Sequence, residues 1–334
     1  MESEKILGQN HIIQHFENAI KMNKISHAYI INGEKGSGKM SLALSFAKAL
    51  QCEGDGRSIT GRACGACKSC RQIKSGSQPD IKFVIHEKSG IGVDEIRAQL
   101  NEDIEIKPYR SKYKIYIINE SEKMTVQAQN ALLKTIEEPP EYAIIILLTT
   151  NADTFLQTIL SRCVLLNIRP VKEEIIKRNL MSEYGVSNYE AKIAAAFANG
   201  NPGKAVSLAT SEDFKELKQQ VVSTLISLDK GGMDIIGQKI KEAGEVKKQI
   251  EDYFNLMRIW FRDVLLYKAV EDNDRLIFQD DYQEIINMSK KLSFFDINVI
   301  LKSIEQAWNR IHSNVNFDIT MEVLFLSIKE RIKQ

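Results

Sequence analysis

The chain has 334 residues, 43% of them hydrophobic, with 45 Lys and Arg against 44 Asp and Glu for a formal net charge of +1. That length supports two or three domains with separate cores. The balanced charge excludes a protein that grips nucleic acid unaided, so any DNA contact is expected to be shared with partners.

The start, Met1-Glu2-Ser3-Glu4-Lys5, has no signal-peptide pattern, and no apolar run approaches the roughly 20 residues of a membrane helix. A soluble cytoplasmic protein without membrane contact is expected. Four of the five cysteines are clustered, which suits a metal site in a reducing compartment better than a disulfide framework.

Residues 1–26 read as a lead-in with one helix, because Ile12, Ile13, Phe16 and Ile20 share a face and can pack on a sheet edge. Short apolar runs then recur at Ala28–Ile31, Ile81–Ile85, Tyr113–Ile118, Tyr142–Leu148 and Cys163–Ile168. They alternate with helical patterns at Ser41–Gln51, Val93–Asp103, Thr125–Glu138 and Asp153–Leu160. Consecutive apolar positions mark strands covered on both faces, and alternation with helices implies a five-stranded parallel sheet in a three-layer α/β domain over 1–170. After Pro170 no β-rich run follows, and the spacing is helical to the end. Two helical units are expected. One, 171–208, is broken at Gly185 and at Gly200-Asn201-Pro202-Gly203. The other, 209–334, has longer segments at Ile250–Tyr267, Phe295–Ile311 and Phe317–Ile332, with Trp260 and Trp308 read as core.

Between the first strand and its helix lies Gly33-Glu34-Lys35-Gly36-Ser37-Gly38-Lys39-Met40-Ser41. Strand, glycine loop and helix make a phosphate-binding loop: glycines let backbone N–H groups turn inward, the helix N-terminus adds partial positive charge, and Lys39 reaches the terminal phosphates. The pattern GxxxxGK[ST] fails only at its last letter. Met40 stands where a hydroxyl would hold Mg²⁺, a thioether is a poor ligand for a hard cation, and Ser41 comes one place late. The third strand ends in Asn119-Glu120, where an ATPase carries a Mg²⁺-binding Asp followed often by a water-polarising Glu. With both side-chain supports of one ion weakened, efficient hydrolysis is not expected. Passive binding of ATP or ADP through Lys39 and the backbone is compatible with the pattern.

Cys52, Cys64, Cys67 and Cys70 are spaced C-x11-C-x2-C-x2-C. Four thiolates are a closed tetrahedral set for structural Zn²⁺, and the glycine- and serine-rich surroundings build no apolar core that would order the segment otherwise. Arg162, in Ser161-Arg162-Cys163 at the start of the fifth strand, reads from spacing alone as an ordinary surface arginine; the sharper alternative is a guanidinium presented to a neighbouring subunit's γ-phosphate.

Ser26-His27-Ala28-Tyr29, the cysteine insert (52–70), Asn130-Ala131-Leu132-Leu133-Lys134 with Glu137-Glu138-Pro139-Pro140, and Ser161-Arg162-Cys163 together resemble bacterial clamp-loader subunits of the AAA+ class. The resemblance runs from residue 5 to about 208, and only the helical character agrees beyond it. Met40 and Asn119 match the kind of subunit whose phosphate loop and acidic pair are degenerate, although some such subunits have lost Gly33, Gly36, Gly38 and Lys39 as well. The resemblance implies that Arg162 acts in trans on an adjacent ATPase subunit. It also implies a lid domain over 171–208, with Lys204 in the place of a phosphate-sensing arginine, and a collar domain over 209–334. The implied assembly is a hetero-pentameric ring with tau/gamma and delta subunits that loads a sliding clamp onto primer-template DNA. An active ATPase motor subunit is the alternative within the family, and Met40 and Asn119 argue against it. A free-standing zinc-dependent nucleic-acid binder would need a basic stripe that the charge balance does not supply.

Overall fold

The computed structural model describes residues 6–54, 60–85 and 90–333. Five strands, β1 (Ala28–Asn32), β2 (Ile81–Val84), β3 (Lys114–Ile118), β4 (Ala143–Thr149) and β5 (Val164–Asn167), form one sheet in the order β2-β3-β4-β1-β5. Every neighbouring pair is parallel. Alternate residues go to opposite faces. Tyr29, Ile31, Ile115, Ile117, Ile144 and Ile146 join a core with Ile12, Phe16, Phe46 and Leu50. Ile30, Tyr116, Ile118, Ile145 and Leu147 join another with Leu132, Ile136 and Phe155. Three layers follow, as the alternation of strands and helices predicts.

The two edge strands depart from full coverage. Phe83 is 44% exposed and Leu165 42% exposed, because β2 and β5 each have a single neighbour and their helical layers do not reach the rim. The lead-in helix, α1 (Asn10–Lys21), packs Ile12, Phe16 and Ile20 into the first core. His11 and Gln9 fasten it to the β5 side through Asn167 O and Arg169.

Two helices are shorter than their periodicity predicts. The pattern at 93–103 gives α-helix only over Val93–Ile96, then a π-turn over Arg97–Asn101 and a 3₁₀ turn over Asp103–Glu105. There Gln99 grips both backbone groups of Ile85, and Asn101 bonds Ala131 O and the Thr135 hydroxyl, side-chain braces that compete with regular winding. The pattern at 153–160 breaks at Leu156, whose N–H bonds Gln129 Oε1 at 2.8 Å while Gln129 Nε2 reaches Thr154 O at 3.1 Å. Only Gln157–Leu160 is α-helical.

The chain divides into two compact units, one with the residues up to Ile175 and Gly200–Lys204, the other with Ile176–Asn199 and the residues from Ala205 on. The second has no strand among its described residues. Its core centres on Trp260, Tyr253, Phe254, Phe261 and Phe278, all fully buried. Trp308 is only half-buried and meets Phe254 edge-on at 5.8 Å, so of the two tryptophans read as core only Trp260 is central. No helix is long and apolar enough to cross a membrane among the described residues.

Candidate functional site

The loop Gly33–Gly38 connects the C-terminal end of β1 to the helix α2 (Lys39–Gln51), the place where parallel sheets present phosphate sites. Gly36 and Gly38 have φ of 84° and 92°, a left-handed backbone that favours glycine. Ser37 closes the turn through its hydroxyl on Glu34 O at 2.7 Å. Lys39 folds back on the loop, donating from Nζ to Gly33 O at 2.5 Å and Glu34 O at 2.8 Å. Partial burial lowers the Lys39 pKa, against the pull of the Glu122, Glu120 and Glu34 carboxylates. Ser41 is the third residue of α2, and Met40 leans against the core formed by Phe46, Ile31 and their neighbours.

A residue far along the chain holds this loop. Asn201, 5% exposed, donates from Nδ2 to Lys35 O at 2.8 Å and accepts the Lys204 N–H on Oδ1 at 3.1 Å. The Gly203 N–H bonds Gly36 O at 3.0 Å, an approach so close that a Cβ on Gly203 would lie 2.5 Å from that oxygen. Lys204 is thus brought beside the phosphate loop through its backbone.

Asn119 is exposed just after β3, and Glu120 adopts φ 50° while its carboxylate pairs with Lys123 at 2.6 Å. The better-held carboxylate is Glu122, which accepts the Thr150 hydroxyl at 2.8 Å and the Thr150 N–H at 3.3 Å. Burial pushes the Glu122 carboxyl up, and hydrogen bonds from its own N–H and from Thr150 outweigh it, leaving the group below its ordinary value. Glu122, Thr150 and the role of Asn201 do not stand out in the sequence. The available signal is the polar pair Thr149-Thr150 closing an otherwise apolar strand.

The four cysteines meet where α2 ends. Cys52 is its C-cap, Cys64 and Cys67 lie on the following turn, and Cys70 is on the helix Lys68–Lys74. All four sulfurs lie within 4.8 Å of one another. Around a tetrahedral metal with bonds of about 2.3 Å, sulfurs sit about 3.8 Å apart, so the set fits one ion. The N–H groups of Gly54 and Cys64 point at Cys52 Sγ, that of Cys67 at Cys64 Sγ and that of Cys70 at Cys67 Sγ, as thiolate ligands require. The Cys67 and Ala66 N–H groups pull the Cys64 thiol down to about 6. Burial pushes the Cys70 thiol up, an effect that a bound cation would reverse. The four cysteines are therefore placed to hold a metal ion.

Ser161-Arg162-Cys163 follows the short helix Gln157–Leu160. Cys163 packs against the second core, with its thiol pushed up to about 12 by burial, so it anchors the segment. Arg162 stays at the surface, NH1 donating to Thr158 O at 3.2 Å and to the Ser161 hydroxyl at 3.3 Å, with NH2 3.0 Å from Glu137 Oε1.

Comparison with known proteins bears on what these sites serve. Residues 8–172 match the family described as DNA polymerase III, delta subunit. The DNA polymerase III subunit delta′ of Bacillus subtilis is 30% identical over 326 residues, 96% of this chain and 96% of that one. The chain belongs to the family of DNA polymerase III clamp-loader subunits that includes delta′. The tau subunit of the same organism is 29% identical over 348 residues, but the alignment takes in 95% of this chain and only 60% of tau. The clamp-loader chain described here spans nearly the whole length of its delta′ relative and only part of the tau-type ones. A gamma-subunit-related protein of Thermotoga maritima overlays with a TM-score of 0.40 at 19% identity, covering 95% of this chain and 99% of that one, too loose an overlay to bear on function.

Proposed function

We propose that the chain is a delta′-type stator of the DNA polymerase III clamp loader: a subunit that hydrolyses no ATP itself and donates Arg162 to the nucleotide site of a neighbouring ATPase subunit. The observation that carries the reading is the paired loss of Mg²⁺ support. Met40 has a side chain that leans on the core where a hydroxyl is needed, and Asn119 offers an uncharged amide where a carboxylate is needed. The glycines and Lys39 leave room for ATP or ADP held passively, with Lys204 beside the loop. The metal in the cysteine module is Zn²⁺, the usual ion of a four-thiolate set, and its closed coordination makes it structural. On this reading residues 171–208 act as lid and 209–334 as collar in a five-membered ring with tau/gamma and delta. That ring loads a sliding clamp onto primed DNA in the cytoplasm.

The test is turnover. The isolated chain is expected to release no phosphate from ATP above background. Met40→Thr combined with Asn119→Asp is expected to raise affinity for the Mg²⁺ complex of ATP over that for free ATP. Steady turnover by the unmodified chain, or a double variant with unchanged Mg²⁺ dependence, contradicts the proposal.

A further inference from the structure

Glu137 breaks a local rule. It is the last residue of the helix Val126–Glu137, followed by Glu138 with φ −126° and ψ 62° and by Pro139-Pro140. A carboxylate at a helix C-terminus faces the negative end of the macrodipole and is disfavoured there. The position nonetheless brings Glu137 Oε1 to 3.0 Å from Arg162 NH2 across two separate elements. Both elements are held firmly. The helix is capped by the Thr125 hydroxyl and braced by Asn101 at Ala131 and Thr135, and the segment carrying Arg162 is pinned by fully buried Ile159 and by Cys163.

We infer that Glu137 is the positioning residue for Arg162. Its carboxylate, with Thr158 O and the Ser161 hydroxyl, holds the guanidinium in one place at the surface, from which it meets the γ-phosphate bound by the neighbouring subunit. The inference deepens the reading of Arg162 as an arginine acting in trans and rests on it. An arginine side chain otherwise loses rotamer freedom at the moment of engagement, and fixing it beforehand moves that loss out of the chemical step. A guanidinium carries five N–H donors, so the contacts on NH1 and NH2 do not exhaust it. Folding does not explain the pair, since ion pairs as exposed as this one, 41% and 44%, contribute little to stability.

The experiment uses the reconstituted complex with the phosphate-loop lysines of the other ATPase subunits substituted, so that only the site facing this chain turns over. Glu137→Ala is expected to lower kcat there about two- to fivefold, the range an exposed ion pair spans, with KM and melting temperature unchanged. Glu137→Gln keeps an acceptor oxygen and is expected to recover part of the rate. In an Arg162→Ala background, Glu137→Ala should have no further effect. A wild-type or raised kcat in Glu137→Ala, or an equal loss in the Arg162→Ala background, overturns the inference while leaving the in-trans role of Arg162 standing. If Arg162→Ala alone leaves the rate unchanged, the in-trans reading fails and the positioning role falls with it.

Discussion

The helix Lys39–Gln51 has a phosphate loop at its first residue and a cysteine cluster at its last, and the two ends have kept their chemistry to different degrees. At the far end all four sulfurs converge, and the loss of any one would open the coordination shell. At the near end the glycines, the lysine and the loop geometry are present, while Met40 and Asn119 stand where the phosphate-loop pattern carries a hydroxyl and a carboxylate. The contrast separates two properties that a phosphate loop usually carries together. Loop geometry is maintained by contacts indifferent to hydrolysis: Gly36 and Gly38 in the left-handed region, Lys39 on its own carbonyls, and Asn201 on Lys35 O. Met40 rests its thioether against the core beside the loop. A four-thiolate set has no such slack, because a tetrahedral ion would take all four sulfurs and any one missing opens the shell.

The largest effect is expected at the cysteine end. Purified without chelator, the chain is expected to carry about one zinc, and Cys67→Ser to carry less than about a third of an equivalent. Metal binding in such modules contributes on the order of 10 kcal/mol, so chelation should also lower the melting temperature of the first unit. Elemental analysis together with calorimetry reads both effects. A metal-free chain with unchanged melting would remove the contrast.

At the loop end the expected effect is smaller. Asn201→Ala removes the amide that meets Lys35 O and the Lys204 N–H in two part-buried contacts, an expected cost of about 1 kcal/mol, measurable by denaturant unfolding. No loss of stability would mean that the loop holds its shape without Asn201.

The smallest effect concerns Asp80, which ties the neighbourhood of the cysteine module to the sheet. Its carboxylate accepts the N–H groups of Tyr109, Arg110 and Ser111 at 2.6, 3.0 and 2.8 Å, while the Gln78 amide beside it links Ser69 to Ser111. Burial pushes the Asp80 carboxyl up, and the three N–H bonds outweigh it, so the folded-state pKa lies below its ordinary value. A depressed carboxyl stabilises the fold above the unfolded pKa of about 3.9, and that contribution is lost as pH falls through the folded value. Unfolding free energy should therefore drop between about pH 4 and pH 2, and Asp80→Asn should flatten that limb. An acid limb of equal slope in the variant would assign the drop to other carboxylates.

Much of this was legible in the residues themselves. The loop, the cysteine spacing, Asn119 and Arg162 are local patterns, each needing only its immediate neighbours to be read. The five strands were legible as apolar runs, with bounds within a residue or so of those observed. Asn201 was not legible as a loop residue, because its partner Lys35 lies 166 positions away. Glu122 is hidden for the same reason, since Thr150 is brought to it only when β3 and β4 pair. The helix breaks at 97 and 156 were likewise hidden, being imposed by the amides of Gln99, Asn101 and Gln129. Glu137 was visible only as one member of a Glu-Glu-Pro-Pro run, and its pairing with Arg162 needed the fold.

If this chain contributes an arginine where it has no hydrolysis of its own, the rate at the nucleotide site facing Arg162 must depend on that side chain. A guanidinium supplied in trans contributes about 10³–10⁵ in rate where it meets the transferring phosphoryl group. With Arg162→Ala in the reconstituted complex, turnover at that site should fall toward this extent and clamp loading with it, while ring assembly and the chain's melting temperature stay at wild-type values. Clamp loading at the wild-type rate with Arg162→Ala would rule out the in-trans role and leave Arg162 an ordinary surface residue.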